Sequence, residues 1–537
     1  MSPSATAPIV NWDALTPVLI ILGAGVLGVL VEAFIARPAR LAIQSTLSFL
    51  AILASGVSLF LRWGEVKAAG AAAAAVPQFQ LPKGFLPGAR MSAGLTEDPF
   101  SIAAQGILLF IGLLAVLVMA DRTSVGDGAF AAQAADRPGS AEESESILAG
   151  WTTTEIFPLT LFSLGGMMLF GASSDLITLF VILEMISLPL YILAATARHR
   201  RLLSQEAALK YFVLGAFASA FLLMGSALLY GVAGAVDYKT LGEAVSSAAG
   251  QDWLILAGLM LVIVGLLFKV AAVPFHAWSP DVYQGAPTPV TGFMAAGVKA
   301  AAFLALVRFY YLVGGAFGWD MAPFLWTVAI LTMVVGTVVG VVQSDIKRML
   351  AYSAIAHAGY MLMGIIALNG TGISALLLYA LAYGVATVGA FGIVALVRTG
   401  HGGAAGAEAT DLGSFAGLGR RNPWLAAAMA VFLLSFAGVP LTAGFVAKFE
   451  LFIAAVGGGA MWLVIAAVIS SAITAFFYMR LIVLMFFREP EGSGVVVVES
   501  MGPSGAAIVV AVFVTVALGV LPQAVIALLG RAAMLLP

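Results

Sequence analysis

The chain is a succession of long apolar segments separated by shorter polar ones. An α-helix of about 20 residues crosses the ~30 Å hydrocarbon layer of a bilayer, and the apolar segments have roughly that length. We count fourteen of them, at 15–36, 41–62, 98–120, 152–171, 174–197, 206–234, 253–278, 289–314, 322–343, 349–369, 372–398, 423–456, 459–487 and 504–530. Backbone groups in lipid must form their hydrogen bonds internally, so helices are expected. The pattern predicts an all-α polytopic membrane protein with about 14 transmembrane helices.

Composition supports this prediction and limits the chemistry of the chain. Of its 537 residues 62% are hydrophobic and 10% are charged, against about 25% charged in soluble proteins. The net charge of −2 gives no indication of a nucleic-acid partner. The absence of cysteine excludes disulfides and thiolate-ligated iron–sulfur clusters, and the four histidines are scattered. With no nucleotide-binding motif either, we expect no cofactor and no metal on this chain.

Basic residues predict the orientation of the spans. They concentrate at one alternate set of loop ends, as at 37–40, 198–201, 347–348 and 420–421. The positive-inside rule places this set in the cytoplasm and both termini outside. Two longer loops are less defined: 64–97 is rich in Ala and Pro, and the acidic stretch 121–150 is expected to be solvated.

Several ionisable residues fall inside the predicted spans: Glu184, Lys210, Lys269, Lys299 and Lys448. A charge at the bilayer centre costs about 2.5–3.5 kcal/mol, so these groups are expected to face other helices, a partner charge or water. Burial favours the neutral amine and a nearby carboxylate favours the ammonium, so such a pair can control proton binding. A single such lysine can also be a packing residue or reach to the interface, an objection that is strongest for Lys210 and Lys448. For five groups on five segments, ion or proton handling is the better interpretation.

Other polar residues near the spans have weaker signals. Arg308 and Arg480 lie near predicted helix ends, where they can extend to the interface. His276 follows Pro274 at a helix end. Ser353, His357 and Tyr360 are spaced to share one helical face, as are Tyr379, Tyr383 and Thr387. The histidines fit either a proton relay or a hydrogen-bonded contact between helices.

Two segments contain a helix-breaking proline in similar surroundings, "AAVPFHAW" at Pro274 and "AGVPLTAG" at Pro440. Five spans separate the breaks, which predicts two five-helix units of opposite orientation, each with one broken helix. The expected division is 1–150 for three N-terminal helices, 151–314 for the first repeat, 315–487 for the inverted second repeat, and 488–537 for a C-terminal loop and helix.

The stretch "FKVAAVPFHAWSPDVYQGAPTPVTGFMAAGVKAAAF" (268–303) strongly resembles the signature of the antiporter-like subunits of respiratory complex I, above all the N type. The likeness extends over "LEMISLPLYIL" (183–193), "EAALKYFVLGAFASAFLLMGSALLYG" (206–231), "IKRMLAYSAIAHAGYMLMG" (346–364) and "GVPLTAGFVAKFELF" (438–452). It covers spans 4 to 13. The loops 64–97 and 121–150 lie outside the family core, and no role is assigned to them.

The resemblance implies proton translocation as a subunit of NADH:quinone oxidoreductase. It implies that Glu184 pairs with Lys269, that Lys210 lies beside that pair toward a neighbouring subunit, and that Lys299 links two half-channels. Lys448 would lie on the second half-channel, where the M type has glutamate, and His276 and His357 have less defined roles. NADH, FMN, iron–sulfur clusters and quinone are expected on other subunits. The expected partners are an M-type subunit, small K-, J- and A-type subunits and the lipid of a bacterial inner or plasma membrane.

Three other functions remain open at this point. A subunit of a multisubunit cation/proton antiporter or a membrane-bound hydrogenase resembles the same helix plan. A stand-alone secondary transporter would need a pocket with more varied polar groups. A purely structural subunit predicts that lysine substitutions impair assembly without specifically impairing pumping.

Overall fold

The structure is a computed structural model that describes residues 10–74, 90–92, 94–122, 128–133, 135–137, 140–149, 151, 153–247, 250–401, 404–489, 495–497 and 502–535. Helices make up almost all of it. They are α1 (Trp12–Phe34), α2 (Arg37–Ala74), α3 (Pro99–Ala120), α4 (Ala141–Leu148), α5 (Ile156–Phe170), α6 (Leu176–Ala194), α7 (Arg201–Ala233), α8 (Tyr238–Ser247), α9 (Asp252–Lys269), α10 (Trp278–Gly285), α11 (Thr288–Phe293), α12 (Lys299–Phe309), α13 (Gly318–Val341), α14 (Ile346–Ile366), α15 (Gly370–Leu396), α16 (Leu418–Arg421), α17 (Pro423–Ala437), α18 (Ala443–Gly457), α19 (Met461–Phe487), α20 (Pro503–Val520) and α21 (Gln523–Ala532).

Strands are few and short. β1 (Arg90–Ser92) pairs antiparallel with β2 (Leu95–Thr96). A second sheet has the order β4–β3–β5, also antiparallel, formed by β3 (Val397–His401), β4 (Ala404–Glu408) and β5 (Val495–Val497). Both sheets lie in connections between long helices, so they cap the bundle and do not form part of its core.

The predicted fold class, an all-α polytopic membrane protein, is confirmed. Within the described ranges eleven helical runs are long and apolar enough to cross a membrane. One of them, Thr288–Val341, is a continuous run that covers the predicted eighth and ninth spans. The shorter apolar helices α5 and α17 fall on the predicted fourth span and the first half of the twelfth. The count of fourteen and the division into repeats therefore stay predictions.

The centre of the bundle is formed by α14 and α15, which are almost entirely buried. Helix α15 packs against α3, α11, α14, α17, α18 and α20. Helices at the periphery instead expose large apolar side chains, among them Phe60, Phe217 and Phe476. Apolar residues on an outward face are expected where the surrounding solvent is lipid. The predicted lysines on α9, α12 and α18 are thereby placed around a protein-filled centre.

Loops of the predicted cytoplasmic set meet on one face of the bundle, which we call the basic face. Isolated bridges join Phe130 to Ala197 and Asp345 to Asp411 there. On the opposite face bridges join Leu95 to Ser173 and Asp175 to Asp237. The alternation of sides required of a multi-span chain is therefore present.

The expectation that 121–150 is solvated is wrong for part of that loop. Phe130 and Ala131 are buried, and the amide of Ala131 donates to the carbonyl of Thr196 at 2.8 Å. Asp136 accepts a hydrogen bond from Arg201 through its backbone carbonyl, at 2.9 Å. The acidic composition suggested a solvated segment, but its apolar residues pack on the basic face.

Arg308 also differs from its prediction. Its side chain is 0% exposed and does not reach an interface. Its guanidinium donates to both carboxylate oxygens of Asp98 at 2.8 and 2.9 Å and to the carbonyl of Gly171 at 2.6 Å. Asp98 is the N-cap of α3 and lies 210 residues away in the chain. A buried arginine needs such a partner because desolvating its charge alone is costly.

Candidate functional site

Lys269 is the last residue of α9 and lies at the first helix break. It is 3% exposed, and its ammonium donates to the hydroxyl of Ser187 at 2.6 Å. The rings of Tyr191 and Tyr211 lie 5.7 and 5.5 Å from the same nitrogen, within cation–π range. Lys269 is therefore held by one neutral oxygen and two aromatic faces.

Glu184 lies on α6 one helical turn before Ser187, and its carboxylate accepts a hydrogen bond from Ser219 on α7. The direct Glu184–Lys269 pair implied by the family resemblance is not formed in this structure. Ser187 accepts a hydrogen bond from the ammonium of Lys269, while Ser219 donates one to the carboxylate of Glu184. Because Glu184 and Ser187 share a helical face, the ammonium lies one turn from the carboxylate.

The chain between α9 and α10 is non-helical, and its freed backbone groups are bonded to protein. The amide of Val273 donates to the hydroxyl of Thr332 at 2.9 Å, and the indole of Trp278 donates to the carbonyl of Phe268 at 3.0 Å. The peptide bond before Pro274 is cis. His276 lies half-buried in this segment, and no hydrogen bond between described residues joins its ring to Lys269.

Lys210 does not belong to the buried group. Its side chain is 42% exposed and forms ion pairs with Glu206 and Asp281, both at 2.7 Å. Asp281 also binds Arg348 at 2.7 Å, which connects α7, α10 and α14. The expected position of Lys210 toward a neighbouring subunit stays a prediction, and its ion pairs could not be read from local sequence.

Lys299 is 1% exposed and begins α12 directly after a π-helical turn, Met294–Val298. Its ammonium donates to the backbone carbonyl of Ala354 on α14. Single π turns inside α-helices occur frequently at functional sites because they shift side chains out of the regular helical register. Here the turn precedes the residue whose ammonium meets the central helix.

His357, one turn after Ala354, is the centre of a buried hydroxyl network. Its Nδ1 lies 2.6 Å from the hydroxyl of Tyr379 and its Nε2 lies 3.4 Å from that of Tyr478. Tyr478 is also hydrogen-bonded to Ser353. The predicted shared face of Ser353, His357 and Tyr360 is present, and the Tyr379 face packs against it.

Lys448 belongs to α18 and lies close to the second break, which separates α17 from α18. It is 4% exposed. Its ammonium donates to the carbonyls of Phe436 and Ala437 at 2.8 and 3.1 Å and to the hydroxyl of Ser471 at 2.8 Å. Those carbonyls belong to the last turn of α17, which lacks helical amide partners and carries the negative end of the helix dipole.

Two glycines allow the second break to form. Gly438 ends α17 with φ of 82°, a left-handed conformation that favours glycine. Gly444 approaches the first half so closely that a Cβ would lie 1.8 Å from the carbonyl oxygen of Ser435. The two half-helices therefore meet backbone to backbone beside Lys448.

A small cavity lies between the histidine network and the second break. Its volume is about 10 Å³, and His357, Tyr379, Tyr383, Ser435, Phe436 and Gly444 are among the residues that line it. That is near the minimum needed for one water molecule, and its walls offer hydroxyl and imidazole partners. Polar groups therefore lie between His357 and the second break, while Lys299 meets the same helix through the Ala354 carbonyl, one turn before His357.

The structure places Lys299 one helical turn from His357 and Lys448 across a small cavity from it, without a hydrogen bond from either ammonium to the imidazole among the described residues, and leaves Lys269 with Glu184 in a separate cluster. No hydrogen bond between described side chains continues from one group to the other. Sequence reasoning missed Ser187, Ser219, Ser471 and Tyr478, because single hydroxyls on apolar helices give no motif. It also missed Lys347, which is buried but lies 3.7 Å from the carboxylate of Glu408.

Comparison with known proteins identifies the family of this arrangement. Residues 173–474, more than half of the chain, match the family described as NADH:quinone oxidoreductase/Mrp antiporter, transmembrane. NADH-quinone oxidoreductase subunit N of Beutenbergia cavernae is 52% identical over 456 residues, which cover 84% of this chain and 83% of that protein. The residues matched by the family, 173–474, contain all seven predicted site residues, from Glu184 to Lys448.

Solved structures agree with this assignment. A chain of respiratory complex I from Thermus thermophilus, solved with bound aureothin, aligns with a TM-score of 0.72 and 33% identity, covering 95% of this chain and 98% of that one. A chain of the Mrp complex from Dietzia aligns with a TM-score of 0.75 and 21% identity, covering 97% of each chain. At that identity the second likeness concerns the fold alone.

Proposed function

The chain belongs to the NADH:quinone oxidoreductase/Mrp antiporter family as an antiporter-like membrane subunit of complex I, and from this premise we propose that it moves protons through its buried lysines. Catalysis of NADH oxidation is a property of the whole enzyme complex. Redox energy released on other subunits would reach this chain as an electrostatic or conformational change along the membrane arm.

The observation that carries the proposal is the chemistry of the lysine partners. Lys269, Lys299 and Lys448 are each almost fully buried, and each binds only neutral oxygens among the described residues. Hydroxyl and carbonyl oxygens accept a hydrogen bond from an ammonium and from a neutral amine alike. A proton can therefore leave without a carboxylate being left unpaired in the interior. At Lys347, by contrast, loss of the proton would leave the carboxylate of Glu408 without that ion-pair partner.

The first cluster offers a way to couple this proton to an outside signal. With Lys269 on Ser187 the ammonium has no direct counter-charge, whereas a turn of the side chain toward Glu184 would form an ion pair. The ion pair favours the ammonium, and its loss favours proton release to the next site. One pKa unit corresponds to 1.36 kcal/mol, and moving a proton against about 100–200 mV requires roughly 2.3–4.6 kcal/mol. A change of partner at one lysine has the required size.

The second cluster would carry the proton onward. His357 lies one turn from the carbonyl that binds Lys299, and its two nitrogens reach hydroxyls on α15 and α19. Lys448 lies across the small cavity, over the ring of Tyr360 at 4.8 Å. We assign Lys299 the central position, His357 the relay and Lys448 the terminal position. Lys210 and His276 would act at the edge of this route.

The finer setting of the chain is part of the same proposal. We infer that both termini lie outside a bacterial plasma membrane, since the basic face collects the loops rich in arginine. An M-type subunit and the small K-, J- and A-type subunits are the expected neighbours. NADH, FMN, iron–sulfur clusters and quinone would be held by other subunits.

Lys269→Ala tests the proposal in membranes where this chain is the sole copy of the subunit. NADH-driven proton pumping is measured together with the amount of assembled complex. We expect assembly to be retained and pumping to be lost, and Lys239→Ala, an exposed lysine on α8, serves as the matched control. Normal pumping by the assembled variant would refute the role of Lys269, and loss of assembly without a specific pumping defect would favour a structural subunit.

Co-purification distinguishes the remaining alternatives. Flavin and iron–sulfur subunits in the purified native complex support complex I. Small membrane partners alone would support a cation/proton antiporter, and ion-coupled solute uptake by the isolated chain would support a transporter.

A further inference from the structure

Lys347 and Glu408 form a buried pair outside the two lysine clusters, and its contacts resemble those of Lys269. Lys347 lies near the start of α14, is 2% exposed, and donates through its ammonium to the backbone carbonyl of Ala286 at 2.7 Å. The carboxylate of Glu408, on β4, lies 3.7 Å from the same ammonium and accepts a hydrogen bond from the hydroxyl of Thr288. As at Lys269, the nearest partner of the ammonium is a neutral oxygen and not the carboxylate.

Water on the basic face can reach the carboxylate of this pair. The side chain of Glu408 is 16% exposed and borders a cavity of about 20 Å³, with Ala129 and Arg200 among the other residues that line it. That volume is enough for one water molecule. The guanidinium of Arg200 donates to the hydroxyl of Thr410 at 2.8 Å and to the backbone carbonyl of Glu408 at 3.4 Å. A proton from water in this cavity can therefore bind the carboxylate.

Helix α14 leads from this pair to Lys299. Lys347 and Ala354 are seven residues apart, so they lie on one face of α14, about 10 Å apart along its axis. The carbonyl of Ala354 accepts a hydrogen bond from Lys299, as the carbonyl of Ala286 accepts one from Lys347. The two contacts join α14 to the same stretch of chain, 286–299, at two depths. The buried pair is thus the outer end of a line of contacts that ends at Lys299.

Buried hydroxyls lie along the stretch between those two depths. Thr288 and Thr291 are both 0% exposed and lie one turn apart on α11, and Thr291 donates to the carbonyl of Tyr283 at 3.1 Å. Gly292 packs directly on α15, because a Cβ at this position would lie 3.0 Å from the Cβ of Phe391. The turn of α11 that carries Thr291 therefore lies beside the second half of α15.

Thr387 continues this line on α15, one turn before Phe391. It is 2% exposed, and its hydroxyl lies beside Tyr383 without a hydrogen bond of ordinary length among the described residues. A buried hydroxyl in that situation normally binds water. The ring of Tyr383 lies 4.9 Å from that of His357. Hydroxyl groups therefore lie at intervals from Glu408 at the surface to His357 at the centre.

We propose that Glu408 takes up protons from the basic face and passes them toward Lys299 and His357, with Lys347 as a positioning residue. An O–H bond forms at the carboxylate when a hydronium ion in the cavity gives up a proton. That bond breaks when the proton passes to Thr288, whose own hydroxyl proton moves inward through water and the next hydroxyls. Lys347 stays charged and balances the carboxylate each time it is ionised. The proposal rests on the proton movement proposed above and adds its point of entry.

Glu408→Gln tests the proposal in membranes where this chain is the sole copy of the subunit. NADH-driven proton pumping is measured together with the amount of assembled complex. We expect the assembled variant to pump about tenfold more slowly, because glutamine cannot take up a proton. Glu408→Asp retains the carboxyl group and should keep most of the pumping. Glu145→Gln, which removes an exposed carboxylate on α4, should pump as the wild type does.

Replacing both charges separates this role from that of a structural ion pair. A pair that only holds β4 against the bundle tolerates two neutral residues, since neither charge is then left unpaired. Lys347→Met/Glu408→Gln should nevertheless pump as slowly as Glu408→Gln. Recovery of wild-type pumping in the double variant would overturn the proposal.

Thr291→Val tests the route without changing a charge, and it decides the matter if Glu408→Gln does not assemble. Valine keeps the shape of threonine and lacks the hydroxyl, so pumping should slow about threefold. Thr327→Val, which replaces an exposed threonine on α13, should leave pumping unchanged. Wild-type pumping by assembled Glu408→Gln or Thr291→Val overturns the entry route. If Lys269→Ala loses pumping in the same membranes, the proposed function stands, and if it too pumps normally, both proposals fail.

Discussion

At the first helix break the ammonium of Lys269 binds a hydroxyl on a neighbouring helix, whereas at the second break the ammonium of Lys448 binds, besides a hydroxyl on α19, two carbonyls at the end of the broken helix itself. Lys269 precedes its proline by five residues and ends the first half-helix. Lys448 follows its proline by eight residues and reaches back from the second half. Similar sequence surroundings thus lead to different partners.

The difference concerns which partner can move. A serine side chain can change its rotamer and release Lys269 to Glu184 at little cost. The carbonyls of Phe436 and Ala437 are fixed by the backbone of α17, so Lys448 keeps its place unless the half-helix moves. Under the proposed function, the first break would respond to a signal and the second would hold a fixed proton site.

The largest loss of stability is expected from Gly444→Ala, which disrupts the packing at the second break and leaves the first break unchanged. The new Cβ would lie 1.8 Å from the carbonyl oxygen of Ser435. Because this oxygen belongs to the backbone of α17, a change of side-chain rotamer cannot relieve the overlap. We expect about 3 kcal/mol of destabilisation or more. Gly457→Ala in the same helix, whose Cβ meets its nearest neighbour at 3.7 Å, is the control. Assembly and thermal denaturation of the purified complex measure it, and wild-type behaviour of Gly444→Ala would show that the halves are not rigidly packed.

A smaller but more specific effect is expected at the partners of the two lysines. Ser187→Ala removes the one hydrogen-bond acceptor that Lys269 has among the described residues, while Ser471→Ala leaves Lys448 with two carbonyls. A hydrogen bond to a charged group contributes about 1.5–3 kcal/mol, so Ser187→Ala should slow NADH-driven pumping roughly tenfold or more. Ser471→Ala should change it by less than about threefold. Equal effects of the two variants would remove the proposed distinction between the breaks.

The smallest effect is expected in the network that connects the breaks. His357 lies 2.6 Å from the Tyr379 hydroxyl and 3.4 Å from that of Tyr478. Tyr379→Phe should therefore slow pumping by a few-fold, the equivalent of about 1 kcal/mol for a neutral hydrogen bond. Tyr478→Phe should have less effect on His357. The reverse order would indicate that the proton leaves His357 through Nε2.

Most of the fold could be predicted from the sequence because each span is coded locally. Twenty apolar residues specify a membrane helix regardless of what surrounds them. The breaks at Pro274 and Pro440 were predicted for the same reason, since proline acts on its own turn. Whether Lys269 and Glu184 form an ion pair could not be predicted from the sequence. The outcome depends on hydrogen bonds to single hydroxyls, from Lys269 to Ser187 and from Ser219 to Glu184.

Arg308 shows why the remainder was missed. Its distance to a helix end suggested an interfacial position, but its partner Asp98 is 210 residues distant in the chain. Single serines such as Ser187 were overlooked for a related reason. Their importance comes from the lysine they face, and nothing in "EMISLPL" indicates that lysine.

The ion pair of Arg308 with Asp98 also bears on how this chain tolerates variation in length. Glu97, the residue before Asp98, forms an ion pair with Arg62 of α2 at 2.6 Å. The consecutive carboxylates Glu97 and Asp98 are therefore bound to two different helices, α2 and α12. A change of length between α2 and β1 would leave both ion pairs in place, and the entropy of closing a flexible loop costs only about 0.6 kcal/mol for each doubling of its length. The start of α3 is therefore held in place by ion pairs to two other helices and not by the length of the connection that precedes it.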